Sequence, residues 1–129
     1  MLGVALYVIP ICFADAAVAQ QLIGSYQTTI GEHDQFNSSG QRLRDFCAII
    51  QQDRANFHRF NLRDSSDEFD PFFATIEARA IIGGNCRAGG LNASYLREGI
   101  ISHAGGTIFV EVYGQEGRIT GVIVYDVGG

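Results

Sequence analysis

The hydrophobic positions of this chain change period along its length, and each change predicts an element. SYQTTI, residues 25–30, alternates and is rich in β-formers, so it reads as a strand. GEHDQFNSSG follows as a loop of turn-forming residues. Ser38 then stands three residues before Gln41, the spacing of a capping box. Beyond it Phe46, Ile49, Ile50, Phe57 and Phe60 fall on one side when each residue turns by about 100°. The pattern predicts a first helix over residues 41–60.

Asp70-Pro71 is the next signal, a capping carboxylate followed by proline at the first helical position. Phe72, Phe73, Ile76 and Ala80 supply the apolar face of the second helix, and Gly83-Gly84 ends it. A short third helix opens at Asn92 and carries Tyr95 and Leu96. TIFVEVY and RITGVIVYDV alternate on either side of GQEG, which predicts a β-hairpin over residues 107–127. An N-terminal strand, two or three helices and a C-terminal hairpin in a small antiparallel sheet make an α+β fold. With 129 residues and no repeat or linker, one domain is expected over residues 20–129.

The residues before that domain form a different pattern. An apolar run from Leu2 to Ala14 is too short to cross a bilayer as a helix, and Ala17-Val18-Ala19 puts small residues where a signal peptidase reads them. Residues 1–19 therefore read as a signal peptide, with no transmembrane segment left after cleavage, although no Lys or Arg precedes the apolar run. A start upstream of Met1, a short anchor or a buried N-terminal strand are the competing readings. Bulky Ile-Pro-Ile before Cys12 argues against a lipoprotein site.

Secretion changes the meaning of the cysteines. Removing the leader leaves Cys47 and Cys86, for which a disulfide is the natural outcome in an oxidising compartment. A pair of buried free thiols is the alternative. Charge narrows the partners: a net charge of −5, nine arginines scattered along the chain and no lysine leave no phosphate-neutralising cluster, so nucleic acid is not expected.

Candidate chemistry concentrates in DRANFHRFNLRDSSDEFD, residues 53–70. Asp53 falls in the apolar stripe of the first helix, where a carboxylate needs partners. It either pairs with Arg54, Arg63, Arg79 or backbone amides, or serves as a general acid or base with His58 nearby and Arg54 or Arg63 steadying an anionic substrate. Asp64, Asp67 and Asp70 are candidates for a calcium site. Starting an EF-hand template at Asp64 nevertheless puts Phe69 where glycine belongs and Thr75 where the bidentate glutamate belongs. Acidic residues at a helix N-terminus explain them as well. His33, His58 and His103 lack the spacing of a zinc motif, and no cofactor is expected.

The runs GSYQTTIGEHDQFNSSGQRL, AIIQQDRANFHRF and DPFF resemble a group of short, uncharacterised secreted proteins of Gram-negative bacteria. That resemblance implies a periplasmic location and no activity. The expectation is a small secreted or periplasmic non-enzymatic binding module acting on another protein, through a hairpin edge or an acidic surface suited to a basic partner such as a cell-wall hydrolase. A small hydrolase or isomerase using Asp53 and His58, or a calcium-stabilised structural domain, are the alternatives.

Overall fold

The computed structural model describes residues 3–5, 7, 20–102 and 106–127. The leader's apolar run and cleavage motif, Cys12 and His103 lie outside the described residues or almost entirely so. The order of elements is β1 (Gln21–Thr29), a 3-10 turn (Glu32–Gln35), α1 (Phe46–Ala55), a π turn (Asn56–Phe60), α2 (Ile76–Gly84), β2 (Cys86–Ala88), α3 (Ala93–Ser102), β3 (Thr107–Gln115) and β4 (Arg118–Asp126). The fold is α+β, with three α-helices and one open sheet of four strands among the described residues.

Two findings correct the expected sheet. Its strand order is β1-β3-β4-β2, and β2 runs parallel to β4, so the sheet is mixed rather than antiparallel. The β3–β4 hairpin closes through Glu116 and Gly117, both at positive φ as a type I′ turn requires. It is paired on one side with β1 along the length of β3 and on the other with β2, which covers β4 at residues 122–124 only.

The helix boundaries also differ. Ser38 does not cap; the Asn37 side chain takes the amides of Ser39 and Gln41 instead and holds a turn there. The helix begins after Asp45, whose carboxylate accepts from the Ala48 amide at 3.0 Å. Asp70 does collect the Phe72 and Phe73 amides, at 2.8 and 2.7 Å, yet no helix follows. Arg79 donates to the carbonyls of Phe73 and Ala74, which draws them away from helical pairing, and α2 starts five residues later behind Thr75.

One face of the sheet forms the core. Tyr26, Ile108, Val110, Val112, Val122 and Val124 alternate inward and meet Phe46, Ile49, Ile50, Phe73, Ile82, Leu96 and Ile100. The opposite positions of β3 and β4 remain half-buried. Among the described residues no helix is long and apolar enough to cross a membrane.

Candidate functional site

The buried stripe of α1 runs Phe46, Ile49, Ile50 and then Asp53 and Arg54, so a helix face that starts as hydrocarbon ends as an ion pair. Asp53 is 2% exposed and Arg54 fully buried. Burying such charges is costly unless every donor and acceptor is satisfied. Arg54 meets that condition through its fork. Nε donates to Asp53 Oδ2 at 2.8 Å, Nη1 to Asp70 Oδ2 at 2.8 Å and Nη2 to Thr28 Oγ1 at 2.8 Å. A lysine, with one nitrogen, could not span three such directions.

Aromatic rings close the faces of the guanidinium. Its carbon lies 4.2 Å from the Tyr26 ring centre and 4.6 Å from that of Phe57. Arg63 lies 4.1 Å from the Phe57 centre as well, giving two cations stacked with two rings. Thr28 reaches this centre from β1, between the core residues Tyr26 and Ile30. A polar residue at an inward strand position is the sequence signal that marks it, one that the helix-centred reading passes over.

Two carboxylates thus share one guanidinium, and their surroundings separate them. Burial pushes the Asp70 carboxyl up, but hydrogen bonds from Arg54, His58 and the Phe73 amide outweigh it and hold it below the usual carboxylate range. Asp53 has fewer donors, and burial, opposed chiefly by the Arg54 charge, raises it to about 7. Hydrogen-bond counting agrees. Thr28 Oγ1 lies 2.9 Å from Asp53 Oδ1 and 3.0 Å from Asp67 Oδ1, yet a hydroxyl has a single hydrogen to give. A proton on Asp53 resolves the conflict: Asp53 donates to Thr28, and Thr28 donates to Asp67.

The catalytic candidates are therefore neighbours without a common substrate position. Asp53 faces Thr28 and Arg54 inside the fold. His58 Nε2 is 2.8 Å from Asp70 Oδ2, on the far side of Arg54, and its imidazole packs edge-on against Phe57 and Phe69. The proposed calcium ligands diverge as well. Asp67 accepts from the Thr29 and Asp64 amides at 2.8 Å each, Asp70 turns inward to Arg54, and Asp64 faces His33 across 3.8 Å.

Asp67 and Glu68 have a further effect that the sequence does not announce. Glu68 exchanges hydrogen bonds with Gln27, and Asp67 takes the Thr29 amide, so this loop covers the free edge of β1 over its second half. The first half carries exposed Leu22 and Ile23.

The fold brings Cys47, in the first turn of α1, beside Cys86 at the start of β2, both as thiols. Cys47 Sγ donates to the Cys86 carbonyl at 3.1 Å. A hydrogen bond from the Cys86 thiol lowers the Cys47 pKa, and the same contact, with burial, raises that of Cys86.

The outward, half-buried face of the sheet carries a second cluster that no periodic signal in the sequence marks. Phe109 pairs with Tyr125 and Glu111 with Ile123 in the register of β3 and β4, and Tyr113 follows on the same face. The Tyr113 hydroxyl donates to Glu111 Oε2 at 3.1 Å, so a half-buried carboxylate sits within an aromatic surround. Gly89 lies under the Tyr125 ring; a Cβ there would stand 2.7 Å from it, so glycine lets the ring lie flat on the backbone. At one end of this face a cleft of about 480 Å³ opens, lined by Arg87, Tyr113 and Ile123 among others. No protein-family model, curated protein or solved structure matches this chain.

Proposed function

We propose that this chain is a small secreted or periplasmic module that acts by binding another protein, with the outward, half-buried face of its sheet as the contact surface. The observation that carries this reading is the outward set Phe109, Tyr113, Ile123 and Tyr125 around Glu111. Aromatic residues with a polar tip are the side chains that anchor protein interfaces. A carboxylate among them suits an arginine or lysine of the partner, and the net charge of −5 favours approach by a basic protein. The buried charges support a non-enzymatic role, because Asp53 and Arg54 hold one another and Thr28 rather than facing a ligand. Export would also convert the Cys47 and Cys86 thiols into a bridge between α1 and β2.

Photocrosslinking in the periplasm of an expressing Gram-negative host tests this reading. A photoreactive residue at position 109 or 125 should capture a defined protein, position 91 on an exposed loop should not, and Glu111→Lys should abolish capture. Capture that is equal at all three positions, or indifferent to Glu111→Lys, overturns it, as does an absence of any crosslink.

A further inference from the structure

The strongest unexplained feature outside that surface is a corner formed by His33, Asp34 and Asp64. His33 and Asp34 sit side by side on the 3-10 turn after β1, and Asp64 arrives from the loop that follows the π turn. His33 Nε2 lies 3.4 Å from Asp34 Oδ1 and 3.8 Å from Asp64 Oδ2. One ligand atom from each of the three residues falls within 4.8 Å of the others.

Two of these atoms are anomalous. His33 Nε2 and Asp64 Oδ2 are closed off from solvent and have no hydrogen-bond partner. Buried polar atoms of a folded protein are rarely left in that state. A proton on His33 does not remove the anomaly, since 3.4 and 3.8 Å exceed the 2.7–3.2 Å or so of an N–H···O bond. One N–H could not be directed at both carboxylates either. The spacing suits another occupant. Ligands held roughly 2.0–2.2 Å from a tetrahedral ion stand about 3.3–3.6 Å apart; His33 and Asp34 have that spacing at 3.4 Å, and Asp64, 3.8 Å from His33, reaches it by a small inward movement.

The surroundings are those of a held ligand set. Asp34 is fully buried, with Oδ2 accepting from the Gly31 amide at 2.8 Å and Oδ1 from Asn56 Nδ2 at 2.8 Å. Asn56 also reaches the His33 carbonyl at 3.3 Å and is itself fixed by Gln52 at 2.9 Å. Such outer partners orient ligands and leave a second lone pair on each oxygen for a metal. The Asp64 backbone is pinned through Asp67, whose carboxylate takes its amide and whose own amide donates to its carbonyl. A Cβ on Gly31 would press within 3.2 Å of Asp64 Oδ2 and 3.3 Å of His33 Cε1, so the turn passes close against the corner. The His33 and Asp64 side chains are 35% and 36% exposed, which leaves an ion a way in.

We propose that His33 Nε2, Asp34 Oδ1 and Asp64 Oδ2 bind one zinc ion, with water in the remaining position. One imidazole with two carboxylates is a donor set that zinc accepts in tetrahedral geometry with water as the fourth ligand, and copper(II), which binds most nitrogen and oxygen sites more tightly, is the competitor to exclude from the titration. The ion would join the turn after β1 to the loop that covers the β1 edge. The two loops would then be locked together without any new contact between protein atoms.

The experiment uses the full exported chain, stripped with chelator and kept oxidised, with a thiol titration to verify that no Cys47 or Cys86 thiolate competes. Isothermal titration with zinc should give one site per chain, and saturating zinc should raise the melting temperature. His33→Ala and Asp64→Asn should each weaken binding at least tenfold and remove most of the thermal shift. Circular dichroism checks that both variants fold, and the partly exposed positions make them tolerant sites. On zinc addition, the long-range ¹H–¹⁵N spectrum should move the His33 Nε2 signal and leave His58 in place. No binding up to millimolar zinc overturns the proposal, and so does binding that His33→Ala and Asp64→Asn leave unchanged.

Discussion

Replacing Asp53 by asparagine should make this protein less sensitive to pH, and the sign of that change tests the account of its centre. Asp53 is buried beside Arg54, and its carboxyl is raised from the usual 3.8 to about 7. The folded protein therefore binds a proton that the unfolded chain releases at much lower pH. For a raised carboxyl the stability contribution is complete below the unfolded value and is lost as pH climbs through the folded one. At about 1.4 kcal/mol per unit, the wild-type protein should lose on the order of 2–3 kcal/mol from this group between pH 5 and pH 8. Asparagine keeps the shape, accepts from Arg54 Nε and donates to Thr28, which is the pattern assigned to neutral Asp53. Urea unfolding of both proteins at several pH values isolates the term as the difference between two curves, since every other titrating group is shared. Asparagine should cost most at pH 5 and become neutral or stabilising at pH 8. The reverse trend, with wild type gaining on the variant as pH rises, would mean that Asp53 is ionised and that Arg54 outweighs its burial.

Two further outcomes follow from the same geometry. Arg54→Met should destabilise the fold by about 3–5 kcal/mol in urea unfolding, because it leaves the Asp70 charge buried with one partner fewer and opens the space between Tyr26 and Phe57; a loss under about 1 kcal/mol would refute the assigned role of the guanidinium. Exported protein should weigh two hydrogens less than its reduced mass, and reducing the bridge, or Cys86→Ser, should lower stability by about 4 kcal/mol if chain entropy governs, as expected for positions 39 residues apart; full-mass protein with two titratable thiols would exclude the bridge.

The parts legible in the sequence were those set by local pattern. Alternation in β1, β3 and β4 and the apolar stripe of α1 follow from period alone. What eluded it depends on distant partners. CRA at residues 86–88 is too short to show a period and becomes a strand only because β4 lies alongside it. Asp70-Pro71 carries the chemistry of a helix start and does cap two amides, but Arg79, nine residues on from Asp70, takes the next carbonyls. Among the site residues, the place of Asp53 in the apolar stripe signals a need for partners but leaves Arg54, Arg63, Arg79 and backbone amides open, and the fold selects Arg54. Thr28 was not anticipated, because nothing near it in sequence signals a carboxylate, and Asp53 meets it from 25 residues away.

The crowding of charge in residues 53–70 has a physical cause in the backbone that follows α1. From residue 61 to 75 the chain forms neither helix nor strand, and where it meets the fold, at Asp70, Phe72 and Phe73 above all, its amides and carbonyls lack regular partners. Charged side chains supply them. Arg54 takes the Glu68 carbonyl and Arg63 that of Phe57; Arg79 takes those of Phe73 and Ala74. Asp67 receives the Asp64 amide and Asp70 those of Phe72 and Phe73. Asp67 and Glu68 extend the same exchange to Thr29 and Gln27 and so seal the β1 edge. A segment of this kind cannot exchange its charges for hydrophobic residues without orphaning its own backbone, however favourable the swap would be for burial alone. That requirement accounts for Arg54, Arg63, Asp67, Glu68 and Asp70 without invoking turnover, while the Asp53 carboxyl meets only the Thr28 and Arg54 side chains. Asp64 is the exception: its amide and carbonyl take part in the scheme, but its carboxylate serves no backbone group and faces His33. The carboxylate of the stretch that neither the backbone nor the Arg54 centre engages is the one aimed at the proposed zinc position.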